Sequence, residues 1–162
     1  MMTSMTIEQV LAVLAASPPG IAAATETVSP VLLRAPPAPG EWSATELLAH
    51  LRACADVWGE SIQTILTQDR PTIRAVSPRS WIGRTDYPGL EFRPSFQAFC
   101  AQRAGLLMTL EGLPPGDWAR GATITGGGAP LQRTVLNFAE RLARHERGHL
   151  GQLQRTLRTV TR

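Results

Sequence analysis

The chain has 162 residues, 43% of them apolar and 18% charged, which excludes a disordered protein and leaves enough length for one hydrophobic core. Its 16 basic residues are all arginine, and 13 acidic residues leave a net charge of +3, an excess too small to indicate a nucleic-acid-binding protein by itself. The excess is local, because residues 130–162 carry seven arginines and two glutamates.

The sequence shows no sign of a membrane or secreted protein. No uninterrupted apolar run reaches the roughly 18 residues that a membrane span needs. The N-terminus lacks the basic start and the small-residue cleavage site of a signal peptide. The two cysteines, Cys54 and Cys100, form no CxxC motif, and a chain of this size does not depend on a disulfide. We therefore expect a cytoplasmic protein without a membrane partner.

Clusters of proline and glycine divide the chain into helical stretches that are rich in Ala, Leu, Gln, Glu and Arg. The first helix is predicted over residues 6–28, with a break or kink at the proline pair 18–19. The second helix begins sharply, because Ser43 and Glu46 form the pattern of a capping box, and it continues to about Gln68.

The second half of the chain predicts two more helices and no sheet. One covers residues 94–111, and the other begins near Pro130, a residue suited to the first turn of a helix, and continues almost to the end. The only alternation of β-branched residues, at 123–125, is too short to indicate a strand. We expect a single all-α domain over residues 1–162, a four-helix bundle in which residues 1–5 are disordered.

A long link of about 25 residues separates the second and third helices, at 69–93. Antiparallel neighbours need only a short turn, so this length predicts a crossover connection. The link carries Trp81, Tyr87, Arg79 and Arg84, and it is either a functional lid or a plain connector.

The three histidines of the chain are His50, His145 and His149. On a helical wheel at about 100° per residue, His149 lies roughly 20° and His145 roughly 60° from the direction of Leu142, in the middle of the apolar stripe. The arginines of this helix point mostly the other way. The stripe consists of Val135, Phe138, Leu142, Leu153 and Val160.

Two imidazoles that face a bundle interior need polar partners, because an unsatisfied buried polar group is costly. An i, i+4 pair can place two nitrogens on one Zn, Ni, Fe or Cu ion, and His50 on the second helix is the candidate third ligand. Three histidine ligands leave a coordination position open, as in catalytic rather than structural sites. The alternative is ordinary core histidines that hydrogen-bond to the protein.

The segment His145-Glu146-x-x-His149 also matches the HExxH motif of zinc proteases, in which the glutamate is the general base. Those enzymes take a third ligand from further along the chain, and no His, Glu or Asp follows His149. The longer form of the motif requires glycine at Gln152 and histidine at Arg155. The sequence therefore argues against a protease.

Two stretches resemble the DinB-like superfamily of metalloenzymes, also called DinB/YfiT-like. The first, at 39–51, reads PGEWSATELLAHL and places a tryptophan before a helix that carries a single histidine. The second, at 142–153, reads LARHERGHLGQL and is similar to the closing His-x-x-x-His helix of the family. The resemblance spans about residues 6–158.

This resemblance implies a four-helix bundle that binds one divalent ion, zinc or nickel, through His50, His145 and His149. Relatives include bacillithiol transferases and mycothiol-dependent maleylpyruvate isomerases. It therefore implies a thiol S-transferase or a related metal-dependent hydrolase that acts on a small molecule. A low-molecular-weight thiol is the expected co-substrate, and a homodimer is the expected assembly.

Four other residues are candidates for supporting roles. Glu146 either faces the cleft as a base, or accepts a hydrogen bond behind a ligand, or pairs with arginines. Arg79 and Arg84 are candidates to bind the carboxylates of a thiol cofactor, because a guanidinium matches that geometry. Cys54, one turn after His50, either approaches the metal or is a small buried hydrophobic residue.

Two function classes compete with an enzyme. One is a stress-response or partner-binding module whose metal is structural or absent. The other is a DNA-binding protein, suggested by the arginine face of the last helix. We find no helix-turn-helix, zinc-finger or RNP-like pattern, so we do not expect nucleic acid as a partner.

Overall fold

The computed structural model describes residues 3–162 and contains four long helices, two short helices and a small sheet. The helices are α1 (Ile7–Thr25), α2 (Pro30–Leu33), α3 (Ala44–Thr67), α4 (Pro78–Ile82), α5 (Phe92–Glu111) and α6 (Val135–Val160). The strands are β1 (Thr72–Arg74), β2 (Gly121–Thr125) and β3 (Leu131–Thr134), and 3₁₀ turns cover Tyr87–Gly89 and Pro115–Ala119.

Capping boxes fix where three of the long helices begin. The predicted box at α3 is confirmed, because the Ser43 hydroxyl accepts from the Glu46 N–H and the Glu46 carboxylate accepts from the Ser43 N–H. A second box begins α1 at Thr6. A third, between Thr134 and Asn137, begins α6, so the predicted start near Pro130 is wrong.

The direction of each helix follows from its contacts. Side chains at 52 and 56 of α3 bond to residues 95 and 102 of α5, in ascending order, so α3 and α5 are parallel. A chain that returns from the end of one helix to the start of a parallel neighbour must travel the length of the bundle. The predicted crossover connection is therefore confirmed, and its segment carries β1, α4 and the first 3₁₀ turn.

One carboxylate of α3 binds two side chains of the crossover segment, in addition to the pairing of β1 with β2. The Trp81 indole N–H and the Tyr87 hydroxyl both donate to Oδ2 of Asp56 on α3, at 3.0 and 2.6 Å. Gln102 on α5 donates to Oδ1 at 2.6 Å, and the Arg52 guanidinium lies 3.7 Å from the centre of the Tyr87 ring. These bonds hold the segment against α3.

A three-stranded sheet closes one end of the bundle, which the sequence did not predict. β2 lies in the middle, parallel to β1 and antiparallel to β3. Between β2 and β3, Gly126 and Gly128 have φ of +92° and +109°, which favour glycine. The strands are three to five residues long, too short for a clear local pattern, and β1 pairs with a strand about 50 positions later in the chain.

Helix α1 continues through Pro18 and Pro19, so the predicted break is absent. A proline has no N–H, and Pro18 therefore leaves the Leu14 carbonyl without its helical donor. The Arg103 guanidinium on α5 donates to that carbonyl instead, at 3.0 Å. Another helix thus supplies the hydrogen-bond donor that the proline lacks.

The chain is already packed before α1 begins. Met5 is buried and its N–H donates to Glu140 on α6, and the Ser4 hydroxyl donates to the same carboxylate. These contacts involve residues 4 and 5, so the disorder of residues 1–5 stays a prediction that they do not support, and residues 1–2 lie outside the described chain.

Helix α1 is also long and apolar enough to cross a membrane by length and composition, although it has no uninterrupted apolar run. That test is weak evidence, because core helices of bundles also pass it. In this fold one stripe of α1 is buried in the bundle core: Val10, Leu14, Ser17, Ile21 and Thr25.

The hydrophobic core consists of two clusters stacked along the bundle. One lies toward the sheet and includes Leu14, Ile62, Leu110 and Leu142. The other lies toward the far end and includes Ile21, Leu51, Phe99 and Leu153. Between them, each long helix contributes a polar side chain to one layer: Ser17, His50, Arg103, His145, Glu146 and His149.

Candidate metal centre

Three imidazole nitrogens converge in this polar layer. Nε2 of His50 lies 3.0 Å from Nε2 of His145, and Nε2 of His149 lies 3.1 Å from the same atom. One ligand atom from each of the three rings lies within 4.8 Å of the other two. The antiparallel pair α3 and α6 thus brings together residues 95 positions apart in sequence.

The spacing of these nitrogens fits a shared cation. Two nitrogens that each lie about 2.0–2.1 Å from one ion are about 3 Å apart. Without a proton or a cation between them, the lone pairs of neighbouring imidazoles would repel each other at this distance. A set of three neutral imidazoles suits Zn, Ni, Fe or Cu.

Gln152 fixes the proton on one of the rings. Its carbonyl Oε1 lies 2.8 Å from Nδ1 of His149, and because a carbonyl oxygen only accepts, Nδ1 carries the proton and donates. The lone pair of His149 is therefore on Nε2, the atom that faces the other histidines. Nδ1 of His145 is buried and finds no hydrogen-bond partner among residues 3–162.

Burial keeps two of the imidazoles neutral. The pKa of His50 is lowered to about 4, first by burial and then by the positive charges of His149 and Arg79. The pKa of His145 is lowered to about 3 by burial, by the other two histidines and by Arg141. At neutral pH both rings therefore offer a free lone pair to a cation.

Two tryptophans flank the histidines. The Trp42 ring lies 5.0 Å from the His50 ring and 6.4 Å from the His149 ring. The Trp58 ring meets the His145 ring edge-on at 5.1 Å, and the Arg141 guanidinium lies 4.6 Å from the Trp58 ring centre. Apolar walls of this kind limit water at the sides of the site.

Glu146 does not point its carboxylate into an open cleft. It is 1% exposed, and its two oxygens accept from the Arg103 guanidinium and from the Ser17 hydroxyl. The pairing with an arginine that the sequence left open is the one observed, although its partner comes from α5. A catalytic role for Glu146 stays a prediction that this geometry disfavours.

The two arginines of the crossover segment, Arg79 and Arg84, are both exposed. Arg79 lies close enough for its charge to lower the pKa of His50. The roles of Arg79 and Arg84 in binding a cofactor stay predictions.

Cys54 is fully buried beside the histidines. Its Sγ lies 3.6 Å from Nε2 of His50 and 3.9 Å from Nε2 of His145. Burial and the negative charge of Glu146 raise the pKa of the Cys54 thiol to about 12. The sequence left two alternatives for Cys54, a residue that approaches the metal or a small buried hydrophobic residue. The structure shows features of both, because Cys54 is buried and lies near the candidate ligands.

A large cleft between α3 and α5 is not lined by the histidines. It has a volume of about 960 Å³, lies under the crossover segment, and is bounded by Asp56, Trp81 and Tyr87. A smaller cleft of about 480 Å³ is lined by Trp42 and Gln152, which contact the histidines. The smaller cleft therefore lies beside the histidine cluster, although the histidines themselves do not line it.

The sequence model of the DinB superfamily matches residues 13–153, a stretch that contains all three histidines. The chain belongs to the DinB superfamily. This membership confirms the resemblance that the two sequence motifs indicated. No curated protein matches the sequence.

Solved structures share the fold of this chain. YfiT from Bacillus subtilis, described as a probable metal-dependent hydrolase with an unusual four-helix bundle topology, has a TM-score of 0.80 at 19% identity, over 98% of this chain and 91% of YfiT. TT2238, described as a four-helix bundle protein, has a TM-score of 0.66 at 21% identity, over 93% of this chain and 99% of TT2238. At these identities the likeness establishes the four-helix-bundle fold alone.

Sequence reasoning found the three histidines but not the residues that support them. Gln152 was considered only as a position where a protease motif fails, yet it orients His149. Arg103 carries no local signal, because its partners Leu14 and Glu146 lie on other helices. One sign of a residue near the ligands was visible in the sequence, because Cys54 is a polar side chain four residues after the predicted ligand His50.

Proposed function

We propose that this DinB-superfamily protein is a metal-dependent enzyme whose ion is held by His50, His145 and His149. The observation that carries the proposal is the convergence of three imidazoles in the polar layer, where Nε2 of His50 and Nε2 of His149 lie 3.0 and 3.1 Å from Nε2 of His145. YfiT, described as a probable metal-dependent hydrolase, supports the same class of chemistry. Zinc or nickel suits three imidazoles.

The chain's own residues prepare the site for such an ion. Gln152 holds the His149 ring with its Nε2 lone pair free, and burial keeps His50 and His145 unprotonated. Trp42 and Trp58 cover the rings and restrict water. When bound, a divalent ion with an open position lowers the pKa of water or of a thiol, and so supplies a nucleophile near neutral pH.

The substrate class within this proposal is either a thiol with an electrophile or a hydrolysable small molecule. Arg79 places a positive charge near His50, which favours an anionic group on the substrate or on a thiol co-substrate. The predicted homodimer and the predicted cytoplasmic location belong to the proposal and stay predictions.

Metal content tests the site directly. Protein purified without chelator should contain about one divalent ion per chain by elemental analysis. The variant His145→Ala/His149→Ala should lose it, while Arg147→Ala, an exposed change between the two histidines, should keep it. Full metal content in the double alanine variant would overturn the site.

A chelator separates a catalytic from a structural ion. Turnover of thiol and electrophile pairs, or of simple esters and amides, should disappear with EDTA while circular dichroism shows an intact fold. Melting of the fold on chelation, without turnover in the untreated protein, would favour a module with a structural metal.

A further inference from the structure

We propose that the smaller cleft, between the loop before α3 and the end of α6, binds an α-amino-acid group of the substrate, an inference that rests on the proposed function. The cleft has a volume of about 480 Å³, which suits a small ligand. Its lining comes from one loop and one helix face: Pro37, Gly40, Glu41, Trp42, Gln152, Arg155, Thr156 and Thr159.

The helical wall of the cleft continues the face of α6 that carries the histidines. Residues 145, 149, 152 and 156 follow one another at intervals of four, three and four positions, which is the spacing of one helix face. At about 1.5 Å per residue, residues 152–156 lie about 4.5–10.5 Å beyond His149 along the helix axis. On the loop wall, the Trp42 ring lies 5.0 Å from the His50 ring. A ligand in the cleft therefore lies beside the proposed ion.

The cleft carries one positive and one negative side chain without a partner in the protein. Arg155 and Glu41 both line it and both are exposed. The ion pairs among residues 3–162 join other side chains, so these two charges are neutralised neither by each other nor by a neighbour. An α-amino-acid group has a carboxylate for the guanidinium and an ammonium for the glutamate.

A buried hydroxyl adds a polar group to the cleft wall. Thr156 is 5% exposed, and its hydroxyl makes no hydrogen bond within residues 3–162, whereas those of Thr159 and Thr161 donate to carbonyls one turn back. In that part of the chain, the atoms sealed from solvent without a partner are Nε of Arg103 and Nδ1 of His145. The Thr156 oxygen is therefore open to the cleft that Thr156 lines, where a ligand can bond to it.

Gln152 connects the cleft with the histidines. Its carbonyl oxygen accepts from Nδ1 of His149, which leaves the two N–H groups of the same amide without a partner within residues 3–162. Gln152 also lines the cleft. The helix wall thus offers amide, guanidinium and hydroxyl donors to a carboxylate.

The loop wall has a fixed backbone at the residue that would face the ammonium. The Glu41 N–H donates to the Ala38 carbonyl at 3.1 Å and closes a turn. Gly40 within this turn has a φ of +80°, which favours glycine. The Glu41 carboxylate is therefore carried by an ordered turn opposite α6.

This arrangement orients the substrate. With the amino-acid group between Glu41 and Arg155, the remainder of the molecule extends back along α6 toward the histidines. From the rise of the helix, the reacting thiol or bond should lie roughly 5–10 Å from the amino-acid group. The expected substrate or co-substrate is thus an amino-acid derivative.

Matched probes test the amino-acid site in the chelator-treated chain, where no ion contributes. L-Norleucine carries both charges, hexanoate lacks the ammonium, and pentylamine lacks the carboxylate. In ¹⁵N NMR titrations, norleucine should shift the amide signals of residues 40–42 and 152–159. It should bind at least about 10-fold more tightly than either single-charge probe. Hexanoate or pentylamine binding as tightly as norleucine, or shifts confined to other residues, would overturn the proposal.

Variants assign the two charges of the probe. Arg155→Gln should lower the affinity for norleucine about 10-fold, to that of pentylamine, and Glu41→Gln should lower it to that of hexanoate. Arg158→Gln is the matched control, because it removes an exposed arginine of the same helix that does not line the cleft. Equal affinities of Arg155→Gln and Arg158→Gln for norleucine would overturn the assignment.

The Co²⁺-loaded chain tests whether the cleft lies beside the ion. Relaxation by Co²⁺ falls steeply with distance, so the terminal methyl protons of norleucine should relax faster than its α-proton, relative to the Zn²⁺-loaded chain. The reverse order would place the amino-acid group on the ion and overturn the proposed site. Failure of the chain to bind Co²⁺ or Zn²⁺ would overturn the proposed function, while the titration of the chelator-treated chain still decides the amino-acid site.

Discussion

Arg103 and Glu146 form an ion pair in the centre of the bundle, 2% and 1% exposed, one residue away from His145. The same guanidinium donates to the Leu14 carbonyl and the same carboxylate accepts from Ser17, so the pair joins α1, α5 and α6. Because Glu146 directly follows His145 on α6, the pair also restrains the rotation of α6 that would turn His145 away from the metal centre.

Breaking this pair should destabilise the fold strongly. In Glu146→Gln the Arg103 charge stays buried without a counter-charge, and we expect a loss of about 3–5 kcal/mol in the free energy of unfolding. The matched control is Glu91→Gln, which breaks the exposed Arg34–Glu91 pair and should cost at most about 1 kcal/mol. Urea denaturation of both variants measures the difference, and equal losses would contradict the prediction.

Gln152 should contribute to metal affinity without touching the ion. In Gln152→Leu the His149 ring loses the acceptor that fixes its proton and its orientation, so affinity should fall about 10- to 100-fold. Gln154→Leu, an exposed change two residues further along α6, is the control. Competition with a coloured chelator measures both affinities, and the prediction fails if the two variants bind alike.

The metal-free chain should lose stability as the pH falls below about 6.5. The pKa values of His50 and His145 are about 4 and about 3 in the folded chain. As the pH falls, these side chains are therefore protonated in the unfolded chain before they are protonated in the folded chain. Their contribution is complete above pH 6.5 and is lost progressively as the pH falls toward these folded-state values.

Urea denaturation at pH 7 and pH 5 measures this dependence in the metal-free chain. His145→Gln cannot be protonated at this position and should flatten the difference between the two pH values. If the free energy of unfolding changes equally between pH 7 and pH 5 in the wild type and the variant, burial of His145 does not govern the pH dependence.

Asp56 should hold the crossover segment closed. In Asp56→Ala, Trp81, Tyr87 and Gln102 lose their common acceptor, so limited proteolysis should cut within 69–93 much faster than in the wild type. Asp86→Ala removes an exposed carboxylate from the same segment and should leave the cleavage rate unchanged. Mass spectrometry of the fragments locates the cuts, and equal rates would exclude Asp56 as the fastening point.

Local patterns in the sequence predicted the parts of the fold that are locally determined. The start of α3 was predictable because Ser43 and Glu46 satisfy each other within one turn. The start of α6 was misplaced because Pro130 is also compatible with a first turn, while the pair that begins the helix is Thr134 and Asn137. The sheet was missed because its strands are only three to five residues long and because β1 pairs with β2, about 50 positions later in the chain.

The candidate site was predictable to the same extent. The wheel placed His145 and His149 toward the interior, and His50 on the second helix was the candidate third ligand, which the family motif then supported. The helical wheel also placed Glu146 near the apolar stripe. Only the fold shows that the Glu146 carboxylate is paired with Arg103 of α5. An ion pair between side chains of two helices produces no pattern in the sequence of either helix alone. The role of Glu146 was therefore left open by the sequence.

Pro18 leaves the Leu14 carbonyl without a helical donor, and this has a consequence for the order in which the helices pack during synthesis. Helix α1 is synthesised before α5, and the guanidinium that completes its hydrogen bonding is 89 positions later in the chain. Until α5 has been translated, the Leu14 carbonyl in the middle of α1 has no donor from this arginine. The final packing of α1 therefore waits for the synthesis of α5.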